Sequence, residues 1–195
     1  MNLYRAGART CSSKCRVRVF RAEKRAESKR KQTYIPAEMV GMHRWIRWSE
    51  TQVGSRVTKV PKMCGSFRNA SSTNPATWGS YEEAASSSVG DGMGFVLAGD
   101  GLACIDLDGC LDDGVPTDAA QAVLDMFPDA WVEISPSGEG LHIWGRANSQ
   151  HGRAFVTADG LSVEFYASGR YMTVTGNAYR VGELAPDLDR VLSCA

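Results

Sequence analysis

Asp106 and Asp108 stand two residues apart at the end of an apolar run, in Ala103-Cys104-Ile105-Asp106-Leu107-Asp108-Gly109-Cys110. On a strand, residues i and i+2 share a face, so the two carboxylates point together while Leu107 packs behind them. Two acids held side by side repel each other unless something positive sits between them, and a divalent cation with oxygen ligands is the usual partner. Further on, His142 follows the turn Ser135-Pro136-Ser137-Gly138-Glu139-Gly140. There the Ser137 hydroxyl and the amides around Gly138 and Gly140 could cradle phosphate oxygens, with His142 donating to the same group. Glu164 lies in Ser162-Val163-Glu164-Phe165-Tyr166, an apolar strand in which an acid is costly to bury unless paired or metal-bound. Each residue also has a plainer reading. An Asp-Gly turn commonly ends a strand, a strand histidine is often structural, and Glu164 could simply face solvent.

These side chains need elements to hold them. Residues 44–48 and 56–61 read as strands, as do 92–97 and the run ending at Asp108. Ser80 and Glu83 form a capping-box pattern that opens a short helix to about residue 86. Thr117 can cap a second helix whose apolar face is Ala120, Val123, Leu124 and Phe127, stopped by Pro128. Residues 131–134 and 141–144 read as one hairpin, and 161–166 with 171–175 as another around Ala167-Ser168-Gly169-Arg170. A strand, a helix and two hairpins suggest an α+β fold with a ferredoxin-like or RNA-recognition-motif-like antiparallel sheet. A small αβ module precedes it.

The chain has 195 residues, 43% apolar and 23% charged, which fits one globular domain or one domain with a tail. No run is long enough to span a bilayer and the N-terminus lacks the apolar core of a signal peptide, so a cytoplasmic location is expected. The six cysteines suit free thiols in a reducing compartment. Cys11 and Cys15 are half of a zinc site with no second pair nearby, and zinc is not expected there. The formal net charge of zero hides an asymmetry, because no lysine follows Lys62. A basic front and an acidic remainder suggest a polyanion contact ahead of a cation site. The expected organisation is a basic leader over 1–41, part of which (17–31) could be a solvated helix, a catalytic domain over 42–180, and a C-terminal tail over 181–195.

In combination, Ile105-Asp106-Leu107-Asp108, Gly140-Leu141-His142 and Val163-Glu164 resemble the motifs of the archaeo-eukaryotic primase superfamily. The wider strings Ser135 through Ile143 and Ser168 through Gly176 are similar to its phage and plasmid primase–polymerase branch, as are Thr58-Lys59-Val60-Pro61, Pro75-Ala76-Thr77-Trp78 and Gly94-Phe95-Val96-Leu97. The resemblance runs from about Arg44 to Gly176. It implies a primase–polymerase fold, with the small αβ module packed on the RNA-recognition-motif-like sheet and the active site between them. It also implies a DNA primase or polymerase that joins nucleotides on a single-stranded DNA template. Asp106, Asp108 and Glu164 would hold two Mg²⁺ or Mn²⁺, while Ser137, Gly138, His142, Arg170 and Lys59 would bind the nucleotide. The setting implied is phage or plasmid replication in a prokaryotic host, with a separate helicase. Two positions depart from the pattern: Gly109 stands where the family often has histidine, and Glu139 where polymerase domains of bacterial end-joining ligases carry lysine.

Two other readings compete. Asp106-Leu107-Asp108-Gly109-Cys110 resembles the haloacid-dehalogenase phosphatase signature, but no lysine follows and the later hairpins do not read as βαβ repeats. A non-catalytic module that binds single-stranded nucleic acid through sheet aromatics such as Trp131, Trp144, Phe165 and Tyr166 would explain the basic front. It would not explain three acids facing a polyanion site.

Overall fold

Two sheets organise residues 32–195, the part of the chain that this computed structural model describes. The expectations for Cys11, Cys15 and the basic stretch 17–31 lie outside the described residues. In chain order the strands are β1 (Gln32–Thr33), β2 (Trp45–Val53), β3 (Arg56–Lys62), β4 (Gly92–Ala98), β5 (Leu102–Leu107), β6 (Leu111–Asp112), β7 (Val115–Pro116), β8 (Val132–Ile134), β9 (Leu141–Arg146), β10 (Arg153–Val156), β11 (Ser162–Tyr166), β12 (Ser168–Val174) and β13 (Asn177–Arg180). The helices are α1 (Ala37–Val40), α2 (Tyr81–Ser86) and α3 (Asp118–Asp125). The larger sheet runs β1-β13-β8-β9-β5-β11-β10 and the smaller β12-β4-β2-β3, with antiparallel pairing throughout both. Helices beside antiparallel sheets make this an α+β protein.

Strict alternation along the larger sheet separates two cores. Ala103, Ile105 and Leu107 of β5, with Val132, Ile134, Leu141, Ile143, Val163 and Phe165, pack against α3 and the C-terminal 3₁₀ helix (Leu188–Cys194). The intervening residues Leu102, Cys104 and Trp144 face the smaller sheet and meet Trp45, Phe95, Leu97, Met172 and Val174 there. Trp131 and Trp144 stack at 5.7 Å and Phe95 meets Trp144 edge-on at 6.0 Å, so wide rings fill the gap between the sheets. Two caps form as the local sequence predicts. Ser80 accepts from Glu83 N–H in a reciprocal capping box, and Thr117 accepts from Ala120 N–H. Each contributes about 1 kcal/mol.

The structure corrects three expectations. Residues 161–166 and 171–175 do not form a hairpin: β11 pairs with β5 and with β10, while β12 crosses to pair with β4. Both edges of β11 are occupied, and Gly169, at φ 67° beside a bulge between Ser168 and Arg170, turns the chain towards the open edge of β4. The folded unit also begins before residue 42, because β1 pairs with β13 and Met39 is fully buried, its carbonyl accepting from Trp45 Nε1–H at 3.0 Å. The expected tail over 181–195 is part of the core, with Leu188 and Val191 fully buried beneath the larger sheet. An alternating apolar pattern is absent there because this segment packs through a 3₁₀ helix, not a strand.

Candidate active site

The inner face of the larger sheet changes character near one end. Where alternation calls for a core residue, β8, β9, β5 and β11 instead carry Glu133, His142, Asp106 and Glu164. Their registers align them as direct cross-strand neighbours: Glu133 opposite His142, His142 opposite Asp106, and Asp106 opposite Glu164. Directly opposed residues on one face bring their side chains into contact, so the sheet assembles a polar row from residues far apart in sequence. Asp108 follows one residue beyond β5, ahead of the turn at Gly109, whose φ is 57°.

Asp106, Asp108 and Glu164 each offer a carboxylate oxygen, and the three lie within 4.8 Å of one another. Asp106 Oδ1 is buried and has no hydrogen-bond partner. Burial pushes the Asp106 carboxyl above its ordinary range. The Asp108 and Glu164 charges add to the push, while His142 and Lys59 pull the other way. A buried oxygen without a donor, in a cluster of hard anionic ligands, fits a divalent cation.

A cleft of about 580 Å³ opens beside Asp106 and Glu164, and its far wall comes from the smaller sheet: Lys59 on β3, and Arg170 and Thr173 on β12. The crossing of β12 between sheets is therefore what brings Arg170 to the acids. Its guanidinium stacks on the Tyr166 ring at 4.4 Å, and Tyr166 donates its hydroxyl proton to Glu164 Oε2. The Lys59 ammonium lies 5.6 Å from the centre of the Trp48 ring. Two cations facing Asp106 and Glu164 across a cleft can hold an anionic ligand whose charge is shared between them and a metal.

The other expected residues are placed differently. His142 is only 2% exposed. Its Nδ1 lies 3.0 Å from Glu133 Oε1 and its Nε2 3.6 Å from Asp106 Oδ1, so the ring is held between two carboxyl groups. Burial alone would push the imidazole down, but the hydrogen bond and charge of Glu133, helped by Asp106, leave it above its ordinary value. Ser137 and Gly138 line a separate polar cleft of about 400 Å³ with Thr33, Ser135, Thr175 and Asn177. Within that turn Gly138 N–H donates to Ser135 O, and Glu139 N–H to the Ser137 hydroxyl. Two donors expected to cradle phosphate are thus engaged inside the turn itself.

Glu133 escaped the sequence reading. It is an acid inside Trp131-Val132-Glu133-Ile134, so the argument from burial cost that singled out Glu164 applies to it equally. Of the aromatics expected to form the platform of a binding module, only Tyr166 reaches the cleft. Trp131, Trp144 and Phe165 are fully buried by the second sheet and by the helices, and cannot stack on bases.

Among the described residues, no helix is long and apolar enough to cross a membrane. No protein-family model matches the chain. Over 153 residues it is 36% identical to the DNA primase-polymerase of Nitratiruptor phage NrS-1, a stretch amounting to 74% of this chain and 21% of the phage protein. The chain thus spans about a fifth of the relative's length. With the motif order Asp-x-Asp, histidine and glutamate lying within one continuous sheet, and sequence similarity of this extent, the chain belongs to the primase–polymerase family.

Proposed function

We propose that the protein is a template-directed nucleotidyltransferase, a DNA primase or polymerase that joins nucleotides on single-stranded DNA. The observation that carries this reading is the meeting of Asp106, Asp108 and Glu164 within 4.8 Å at a cleft whose opposite wall bears Lys59 and Arg170. The antiparallel order β8-β9-β5-β11 and the second sheet facing it support assignment to the primase–polymerase fold, with the site between the two sheets. The similarity to a phage primase-polymerase supports a role in phage or plasmid replication in a prokaryotic cytoplasm.

Asp106, Asp108 and Glu164 are the residues that would hold two Mg²⁺ or Mn²⁺. Such ions, when bound, help ionise an attacking 3′-hydroxyl and neutralise the departing pyrophosphate. The chain's own residues do the rest. Lys59 and Arg170 draw the triphosphate into the cleft and orient it. Arg170, stacked on Tyr166, presents its guanidinium edge already ordered, so little side-chain entropy is lost on binding. Tyr166 fixes the rotamer of Glu164 through its hydroxyl. His142 borders Asp106, and Ser137 with Gly138 offers a further polar surface for the nucleotide at the far end of the row.

The test is incorporation of labelled nucleotide on a single-stranded template, with and without primer, with ribo- and deoxynucleotides in turn, and with and without a chelator. Extension that stops on chelation and in the doubly substituted D106A/D108A protein is the expected result. Equal extension by that variant and the wild type would falsify the assignment. DNA binding that survives chelation without any incorporation would favour a non-catalytic binding module.

A further inference from the structure

Glu133 is fully buried, and three N–H groups donate to its carboxylate. Its Oε1 accepts from Trp144 Nε1–H at 3.2 Å and lies 3.0 Å from His142 Nδ1. Its Oε2 accepts from Thr175 N–H at 2.9 Å and Gly176 N–H at 2.9 Å, and the single proton of the Thr175 hydroxyl is shared between Oε2 at 3.0 Å and Ile134 O at 2.7 Å. A carboxylate oxygen that faces an imidazole nitrogen accepts its proton, so Glu133 favours the His142 ring with the proton on Nδ1. This leaves Nε2 as the nitrogen aimed at Asp106, 3.6 Å from the oxygen that lacks a partner. Thr175 and Gly176 immediately follow β12, the strand that carries Arg170. One carboxylate thus ties the histidine of the larger sheet to the end of the strand that crosses to the smaller one.

We propose that Glu133 is a positioning residue for the acidic centre: it locks the ring orientation of His142 and thereby sets the environment of the Asp106 oxygen that receives a cation. This rests on the reading of Asp106 as a metal ligand. A partner one step behind a metal ligand commonly changes metal affinity by about 10–100-fold; His142 stands in that place, and Glu133 reaches Asp106 only through it. Its effect must therefore disappear when His142 is removed, whereas a purely structural effect would persist.

E133Q is nearly isosteric, yet its amide cannot accept on both sides, because its NH₂ group must face either the His142 and Trp144 nitrogens or the Thr175 and Gly176 amides. E133D keeps the charge but draws the carboxylate back by one methylene. Imidazole ¹⁵N NMR of the metal-free protein comes first. Wild-type His142 should show a protonated Nδ1 in slow exchange with water. That signal should be lost or shifted in E133Q and partly retained in E133D. Mn²⁺ affinity, measured by electron paramagnetic resonance, should fall about tenfold in E133Q. In an H142Q background the same substitution should change affinity less than twofold. An unprotonated Nδ1 in the wild type overturns the proposal without recourse to any variant. So does an E133Q effect of equal size with and without His142. If the wild type binds no Mn²⁺ and incorporates no nucleotide, the polymerase reading fails; the NMR result then decides separately whether Glu133 holds His142.

Discussion

Glu133 and Asp106 sit two strands apart on one face of one sheet, both largely removed from water, yet their surroundings are opposite. Around Glu133 three N–H groups donate to its carboxylate, with the His142 ring and the Thr175 hydroxyl also in hydrogen-bond contact. Around Asp106 there are two further carboxylates and one oxygen without a donor. Burying a charge is tolerable when it is paired and hydrogen-bonded, and costly otherwise. The first acid is therefore part of what holds the protein together. The second is a strain that the fold tolerates, relieved by whatever cation the site accepts. Burial alone does not distinguish a structural from a catalytic carboxylate; the count of donors does.

The contrast is most sharply broken at the acidic centre. The double substitution D106A/D108A should lower nucleotide incorporation by about a thousandfold, at the upper end of what removing a group that stabilises transition-state charge costs. The circular dichroism spectrum should stay unchanged. At the other carboxylate the effects reverse. E133A should cost about 3–5 kcal/mol, because it strands the buried N–H groups of Trp144, Thr175 and Gly176 and leaves the buried His142 ring without its carboxylate partner. For a chain of this length that is roughly 10 °C in melting temperature. A melting temperature within a degree of wild type would remove Glu133 from the structural side of the comparison.

A third measurement follows from the upward push on Asp106. A carboxyl held above its unfolded value weakens the fold once the unfolded chain ionises. Its cost therefore grows as pH rises from the unfolded value through the folded one, and then stays constant. Without divalent ions, D106N should thus melt higher than wild type at neutral pH, with the gap closing on acidification below the ordinary carboxylate range. Mn²⁺ at about a hundred times its Kd should reverse the order by stabilising the wild type by about 2.7 kcal/mol and D106N much less. Because protons and cation compete for the same oxygen, Mn²⁺ affinity should weaken on acidification sooner than at an ordinary carboxylate site. If D106N melts below wild type in metal-free buffer at neutral pH, the account of Asp106 as an unrelieved charge is wrong. The smallest effects belong to the opposite wall. K59A and R170A should each raise the nucleotide KM about tenfold, as expected for losing one hydrogen bond to a charged group, with kcat less affected. R170K should recover little, since lysine does not reproduce the stacked planar fork on Tyr166.

Local pattern alone determined a good deal of this protein. The shared face of Asp106 and Asp108, the caps at Ser80 and Thr117, the 132–144 hairpin and the α+β class all follow from periodicities and contacts spanning a few residues. Strand neighbours were another matter. That Glu164 lies beside Asp106, that residues 168–174 leave the larger sheet to carry Arg170 across the cleft, that residues 181–195 complete a core, and that Glu133 sits behind His142 were decided only in the tertiary structure. Pairing between segments tens of residues apart depends on which sheet edges are free and which faces are covered. Those are properties of the assembled molecule, and no window of neighbouring residues contains them.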